Sequence, residues 1–266
     1  MKRISLYILI GLLAVACATS PTGRRQLMLV SEAQAISSSK TAYAQTLKPL
    51  EEQGKVDNDP VLKKRITGIT ERLVAQAVRM RPETKAWEWS IKVIDDPETV
   101  NAWCMAGGKM AIYTGLIQKV EATDDEIAQV MGHEIAHALA NHQAEKMSVA
   151  LATTVGVAAA GAASDRPGLT MAAASAAAAL AIKLPNSRTA ETEADRIGIE
   201  LAARAGYDPR AAVTLWEKMG KVGGSQPPQF LSTHPSPVNR KETLQGLVPQ
   251  MLPYYQSKEP RPVFKL

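Results

Sequence analysis

A mostly helical α+β fold with a small β-sheet is what this sequence predicts. Three observations carry it: apolar residues at helical spacing through most of the chain, one stretch of two-residue alternation, and a glycine pair between two short extended runs. From Ser31-Glu32 a helical pattern runs toward Lys48. Asp59-Pro60 then supplies an N-cap and a first-turn proline for a second helix, with Leu62, Ile66, Ile69 and Leu73 on one face. Trp87, Trp89, Ile91 and Val93 alternate with Glu88, Ser90 and Lys92, predicting a half-buried strand that Asp95-Asp96-Pro97 ends. Asn101 to Met105 and Lys109 to Tyr113 flank Gly107-Gly108 and read as a hairpin, leading through Thr114-Gly115 into a helix. Capped by Thr123 or Asp124, a long helix is expected from Asp124 to about Met147. Ser148 to Ala181 is alanine-rich and broken by Asp165-Arg166-Pro167-Gly168. Alanine contributes little insertion energy and each half is short of a bilayer span, so two packed helices or a lid are expected there rather than a membrane hairpin. A helix follows from Ser187 to Ala205, and Asp208-Pro209 and Ser236-Pro237 start the last two.

The 266 residues, 45% apolar and 21% charged, suit one or two globular cores. A net charge of +5 comes from bases scattered among nearly as many acids, without the dense basic stripe that nucleic-acid binding needs, and no such partner is expected. Lys2 and Arg3, the apolar run from Ile4 to Ala16 and its small-residue end predict a signal peptide over residues 1–16. Cys17 follows directly and is similar to the lipidated cysteine of bacterial lipoproteins. Ala18 in place of an aspartate favours the outer membrane, on its periplasmic side. Residues 17–26 are then a lipidated tether, and 27–266 one domain with 148–181 as its alanine-rich lid. With Cys17 lipidated, Cys104 is left without a disulfide partner and reads as a small buried hydrophobe.

The chemistry concentrates in His133-Glu134-Ile135-Ala136-His137. Positions four apart lie about 40° apart around a helix, so His133 and His137 offer two imidazoles to one point while Glu134 stands one step round. Such a pair suits one zinc ion, which favours imidazole and carboxylate ligands, and Glu134 is placed as the general base toward a metal-activated water. A chance match on a charged helix face is the competing reading. The chain has four histidines, two of them here on an otherwise apolar helix, which favours the metal.

For a third ligand, His142 is tempting but lies about 180° round from His133 if the helix is continuous. Glu191 in Glu191-Thr192-Glu193-Ala194-Asp195 is the better candidate. Asp195 shares its face and can accept the free ring N–H of a ligating histidine, whereas Glu193 is about 200° away.

These two motifs, with Asn101-Ala102, Gly107-Gly108 and Ser232-Thr233-His234-Pro235, resemble the gluzincin family that includes the CaaX prenyl protease and mitochondrial and bacterial quality-control proteases. The signal peptide, Cys17 and Pro21-Thr22-Gly23-Arg24-Arg25-Gln26-Leu27 resemble its LoiP-type bacterial lipoprotein branch. The resemblance implies a zincin-like metallopeptidase domain, with Glu191 as third zinc ligand and Asp195 behind the ligands. It also implies His234 and Arg240 as stabilisers of an oxyanion, although a histidine before proline by itself reads as a surface or capping residue. Lys109, Met110, Ala111, Ile112 and Tyr113 are then an edge strand that pairs with an extended substrate. The function implied is endoproteolysis of unfolded or damaged cell-envelope proteins, with outer-membrane assembly factors as partners. A chaperone or assembly factor with little proteolysis is the alternative; a pure binding module has no use for Glu134.

Overall fold

The structure is a computed structural model that describes residues 17–162, 187–222, 228–235 and 239–266. The expected signal peptide lies outside these residues. Contacts group the chain into two compact units, Met1–Ala35 with Asn141–Leu184 and Ile36–Ala140 with Pro185–Leu266.

In the first unit the expected tether is folded. Strands β1 (Cys17–Thr19) and β2 (Arg25–Leu27) pair antiparallel, Cys17 opposite Leu27. The turn between them is closed by the Ser20 amide on the Arg24 carbonyl, with Gly23 at φ 88. Arg24 grips Glu145 with two nitrogens at 2.7 and 2.6 Å, and Gln26 adds a third bond to the same carboxylate at 2.9 Å. A bidentate guanidinium–carboxylate pair fixes orientation as well as distance, which is why these residues do not hang free. Glu145 belongs to the helix His142–Ala162, which takes up the start of the alanine-rich stretch; the rest of the expected lid lies outside the described residues.

Helix α1 (Glu32–Glu52) runs from the first unit into the second. Helix α2 (Pro60–Met80) begins as expected, Asp59 accepting from the amides of Val61 and Leu62, and buries Ile66, Ile69 and Leu73. The alternating segment forms a shorter strand than its pattern suggests, β3 (Ser90–Ile94). A 3-10 turn over Pro82–Ala86 precedes it, and the Trp89 indole donates to the Thr84 carbonyl at 2.8 Å, anchoring that residue outside the ladder. Strands β4 (Ala102–Met105) and β5 (Lys109–Tyr113) make the hairpin. Gly107 and Gly108 both sit at positive φ, and a Cβ on Gly108 would collide with the Trp89 ring.

The sheet order is β3-β5-β4. Lys109–Tyr113 is therefore the inner strand and not the substrate-pairing edge: β3 takes one side in parallel register, Ser90 opposite Lys109, and β4 takes the other. Within this three-stranded sheet, the free edge on the hairpin side belongs to β4.

Helix α3 (Thr114–Lys119) leads to α4 (Asp124–Leu139), which opens with a reciprocal capping box between Thr123 and Glu126. It ends earlier than expected. Asn141 adopts a left-handed φ of 54, one of the few residue types that does so readily, and a separate helix, α5, starts at His142. Beyond lie α6 (Arg188–Ala205), α7 (Ala211–Lys221), α8 (Gln229–Thr233) and α9 (Arg240–Gln256). Glycines set the approach of α4 to α6: a Cβ on Gly132 would lie 2.8 Å from the Gly198 carbonyl oxygen, and one on Gly198 only 2.7 Å from the His133 amide nitrogen. The two helices meet backbone to backbone. Among the described residues, no helix is long and apolar enough to cross a membrane.

Candidate metal centre

The glycine contact brings the second motif onto the first. His133 Nε2 lies 3.0 Å from His137 Nε2, and Glu191 reaches both, with Oε2 3.3 Å from His133 Nε2 and Oε1 3.3 Å from His137 Nε2. His234 joins them from the end of α8, its Nδ1 3.1 Å from Glu191 Oε1 and 3.3 Å from His133 Nε2. One potential ligand atom from each of His133, His137, Glu191 and His234 lies within 4.8 Å of the other three, and all four residues are buried. Glu191 Oε2 and Glu134 Oε1 are buried without a hydrogen-bond partner. Imidazoles and a carboxylate converging on one point beside unanswered oxygens are the donor set zinc requires, and the site fits the ion.

The electrostatics agree with a site that stores charge for a cation. Burial opposes ionisation of Glu191, yet hydrogen bonds from His133, His137 and His234 hold its carboxyl far below the usual carboxylate range. Burial likewise opposes protonation of His133, but hydrogen bonds to Asp195 and Glu191 raise its pKa to about 9. Glu134 behaves differently. Burial pushes its carboxyl up, against the pull of His234 and His133, while the Cys104 backbone amide on β4 bonds to it. A carboxylate desolvated in this way is a better proton acceptor.

Asp195 takes the position expected for it, with Oδ1 3.0 Å from His133 Nδ1. His234 packs beside these groups, its Nε2 3.4 Å from Glu134 Oε1. Arg240 Nη2 is 2.6 Å from Asp195 Oδ1 and 3.5 Å from Glu191 Oε2, so that edge of the guanidinium sits behind the cluster. His142 is buried and is not one of the four clustered residues. The expected continuous helix ends at Leu139, and His142 opens the next one.

Sequence reasoning passed over the aromatic wall. Phe230 stacks on His234, with centroids 4.4 Å apart at 18°, and touches Trp216 at 5.6 Å. Trp216 stands edge-on to His133 at 6.2 Å. In the sequence Trp216 shares helical spacing with Ala212, Leu215 and Met219 and reads as ordinary core.

The profile of Peptidase family M48 matches residues 60–248, which include both motifs, His234 and Arg240. The chain belongs to this family. Relatives within reach include the mitochondrial metalloendopeptidase OMA1 of Arabidopsis thaliana, 41% identical over 59% of this chain and 31% of that protein. The metalloendopeptidase OMA1 of Homo sapiens is 32% identical over 92% of this chain and 50% of its own length. A putative beta-barrel assembly-enhancing protease of Vibrio cholerae is 31% identical over 70% of this chain and 39% of its own. The chain thus spans between about a third and a half of these M48 relatives.

Proposed function

We propose that this M48 chain is a zinc-dependent endopeptidase acting on unfolded or damaged cell-envelope proteins, held by lipid on Cys17 at the periplasmic face of an outer membrane. The observation that carries the peptidase reading is the buried group His133, His137 and Glu191 with Glu134 beside it. When bound, zinc polarises the scissile carbonyl and acidifies the attacking water toward a pKa of about 7. Glu134 accepts the proton from that water and returns it to the leaving amine. Asp195 keeps the His133 ring oriented.

The free edge of β4, Ala102–Met105, is the segment we assign to substrate. It borders Glu134 through the Cys104 amide and can pair with an extended peptide through its main chain, which suits unfolded chains over any one sequence. The envelope reading rests on the apolar leader before Cys17, the resemblance to the LoiP-type branch of CaaX protease-like gluzincins, and the relative named for β-barrel assembly. A chaperone or assembly role without proteolysis is the alternative, and the retained Glu134 favours the protease. The test is metal analysis of the purified chain with casein digestion, with and without chelator. One zinc per chain and chelator-sensitive cleavage are expected; stoichiometric zinc with no cleavage of any unfolded protein would favour the assembly role.

A further inference from the structure

Arg240 is 3% exposed, yet its Nε and Nη1 have no hydrogen-bond partner. Burying an arginine with open donors is costly, and its guanidinium would be expected to turn until more of them are answered. It does not turn. Nη2 holds Asp195 Oδ1 at 2.6 Å, and the guanidinium carbon lies over the Trp216 ring, 3.4 Å from its centroid. A flat cation on an aromatic face is attracted most strongly where water is excluded. The indole therefore supplies the stabilisation that the open N–H groups lack and fixes the guanidinium plane.

Trp216 is itself fixed. Two residues before it, the Thr214 hydroxyl bonds Glu126 Oε1 at 2.8 Å; two residues after it, Lys218 Nζ bonds Glu126 Oε2 at 2.7 Å. Glu126 sits in the first turn of α4, the helix that carries His133 and His137. The helix bearing two of the ligands thus also sets the platform beneath Arg240.

We infer that Trp216 is a positioning residue for the metal centre: it holds Arg240 so that Asp195 is presented to His133 Nδ1, leaving His133 Nε2 free to ligate. This rests on the zinc reading above. Trp216 meets the His133 ring edge-on, 6.2 Å between centroids. It acts through Arg240 and Asp195, and partners of ligating residues typically govern metal affinity by about 10- to 100-fold.

The test compares Trp216→Phe, which keeps an aromatic face, with Trp216→Leu, which keeps apolar volume only. Zinc affinity is measured by competition with a chromogenic chelator, ligand geometry by the visible spectrum of the cobalt-substituted chain, and fold by the thermal midpoint of the metal-free chain. Trp216→Leu should weaken zinc binding about 10-fold or more and shift the cobalt bands. Trp216→Phe should stay within about 3-fold of the parent with unchanged bands, although both variants lose similar thermal stability. In Asp195→Asn, adding Trp216→Leu should weaken zinc little further, because the link it acts through is already cut. Equal loss of affinity in the Phe and Leu variants, or full additivity with Asp195→Asn, would reduce Trp216 to core packing and overturn the inference. If Trp216→Leu fails to fold, the Trp216→Phe bands and affinity decide: a shift in either sinks the idea. A parent chain that holds no zinc would remove the metal reading itself, which is a separate result.

Discussion

Two glutamates eight residues apart on α4 show what separates a structural polar group from a working one. Glu126, in the first turn, is buried and fully answered: the Thr123 amide, the Thr214 hydroxyl and Lys218 all reach its carboxylate. Burial alone would raise its pKa, but those partners bring it below the ordinary value. Glu134 is as deeply buried, its Oε1 has no hydrogen-bond partner, and its pKa is raised. Among the described residues, the buried side-chain atoms found without partners, on Glu134, Glu191 and Arg240, all belong to the metal centre. Polar groups that build the fold are paired, whereas the open carboxylate oxygens of Glu134 and Glu191 are held for a ligand or a reaction.

The largest expected break of this contrast is Glu134→Gln. Catalysis should fall by about 10² or more while bound zinc is retained, since the amide cannot take a proton and no ligand is touched. Casein turnover beside metal content measures it, and turnover above about a tenth of the parent would show that the base lies elsewhere. Next comes Gly198→Ala. Its methyl would press on the His133 backbone, so α4 and α6 must part, with a loss of about 1–3 kcal/mol and of zinc together. Thermal melts and metal analysis should move in step; a stable variant with full zinc would deny that the glycine contact sets the ligand geometry.

The two glutamates can also be set against each other through pH in the chelated chain. Glu126 has a depressed folded pKa, so its contribution is present above the unfolded value near 4.3 and lost as pH falls toward and through the folded one. Glu126→Gln should therefore lower the midpoint at neutral pH, by about 1–2 kcal/mol, and matter less under acid. Glu134 has a raised pKa, so its ionisation costs stability as pH rises past about 4.3. Glu134→Gln should raise the neutral midpoint of the chelated chain. Shifts of the same sign in the two variants would contradict the comparison. The smallest effect is His142→Ala, for which unchanged zinc content is expected and any loss would place that residue in the centre.

Most of the metal centre could be read in the sequence because its geometry is local. Four-residue spacing within a helix fixes which side chains share a face, and that rule yields His133 with His137 and Glu191 with Asp195. What brings the two faces together, the Gly132–Gly198 contact, left no pattern of its own. The break after Leu139 left one signal, Asn141, a residue type that readily takes the left-handed conformation at a helix end, but with no glycine or proline beside it. The β4–β5 hairpin followed from its turn, but the parallel pairing of β3 with β5 links residues far apart in the chain and turned the expected edge strand into an inner one. Arg240 could be matched by family likeness to a position, not to the neighbour its guanidinium would choose.

The hairpin at the start of the described chain also governs reach. Ten extended residues between Cys17 and the fold would form a leash of about 33 Å, letting the body sweep through the space around its attachment point. Folded back, with Cys17 opposite Leu27 and Arg24 clasped by Glu145, the same residues have almost no slack. On the proposed lipid attachment, the unit that carries the hairpin would be moored close to its anchor rather than trailing from it.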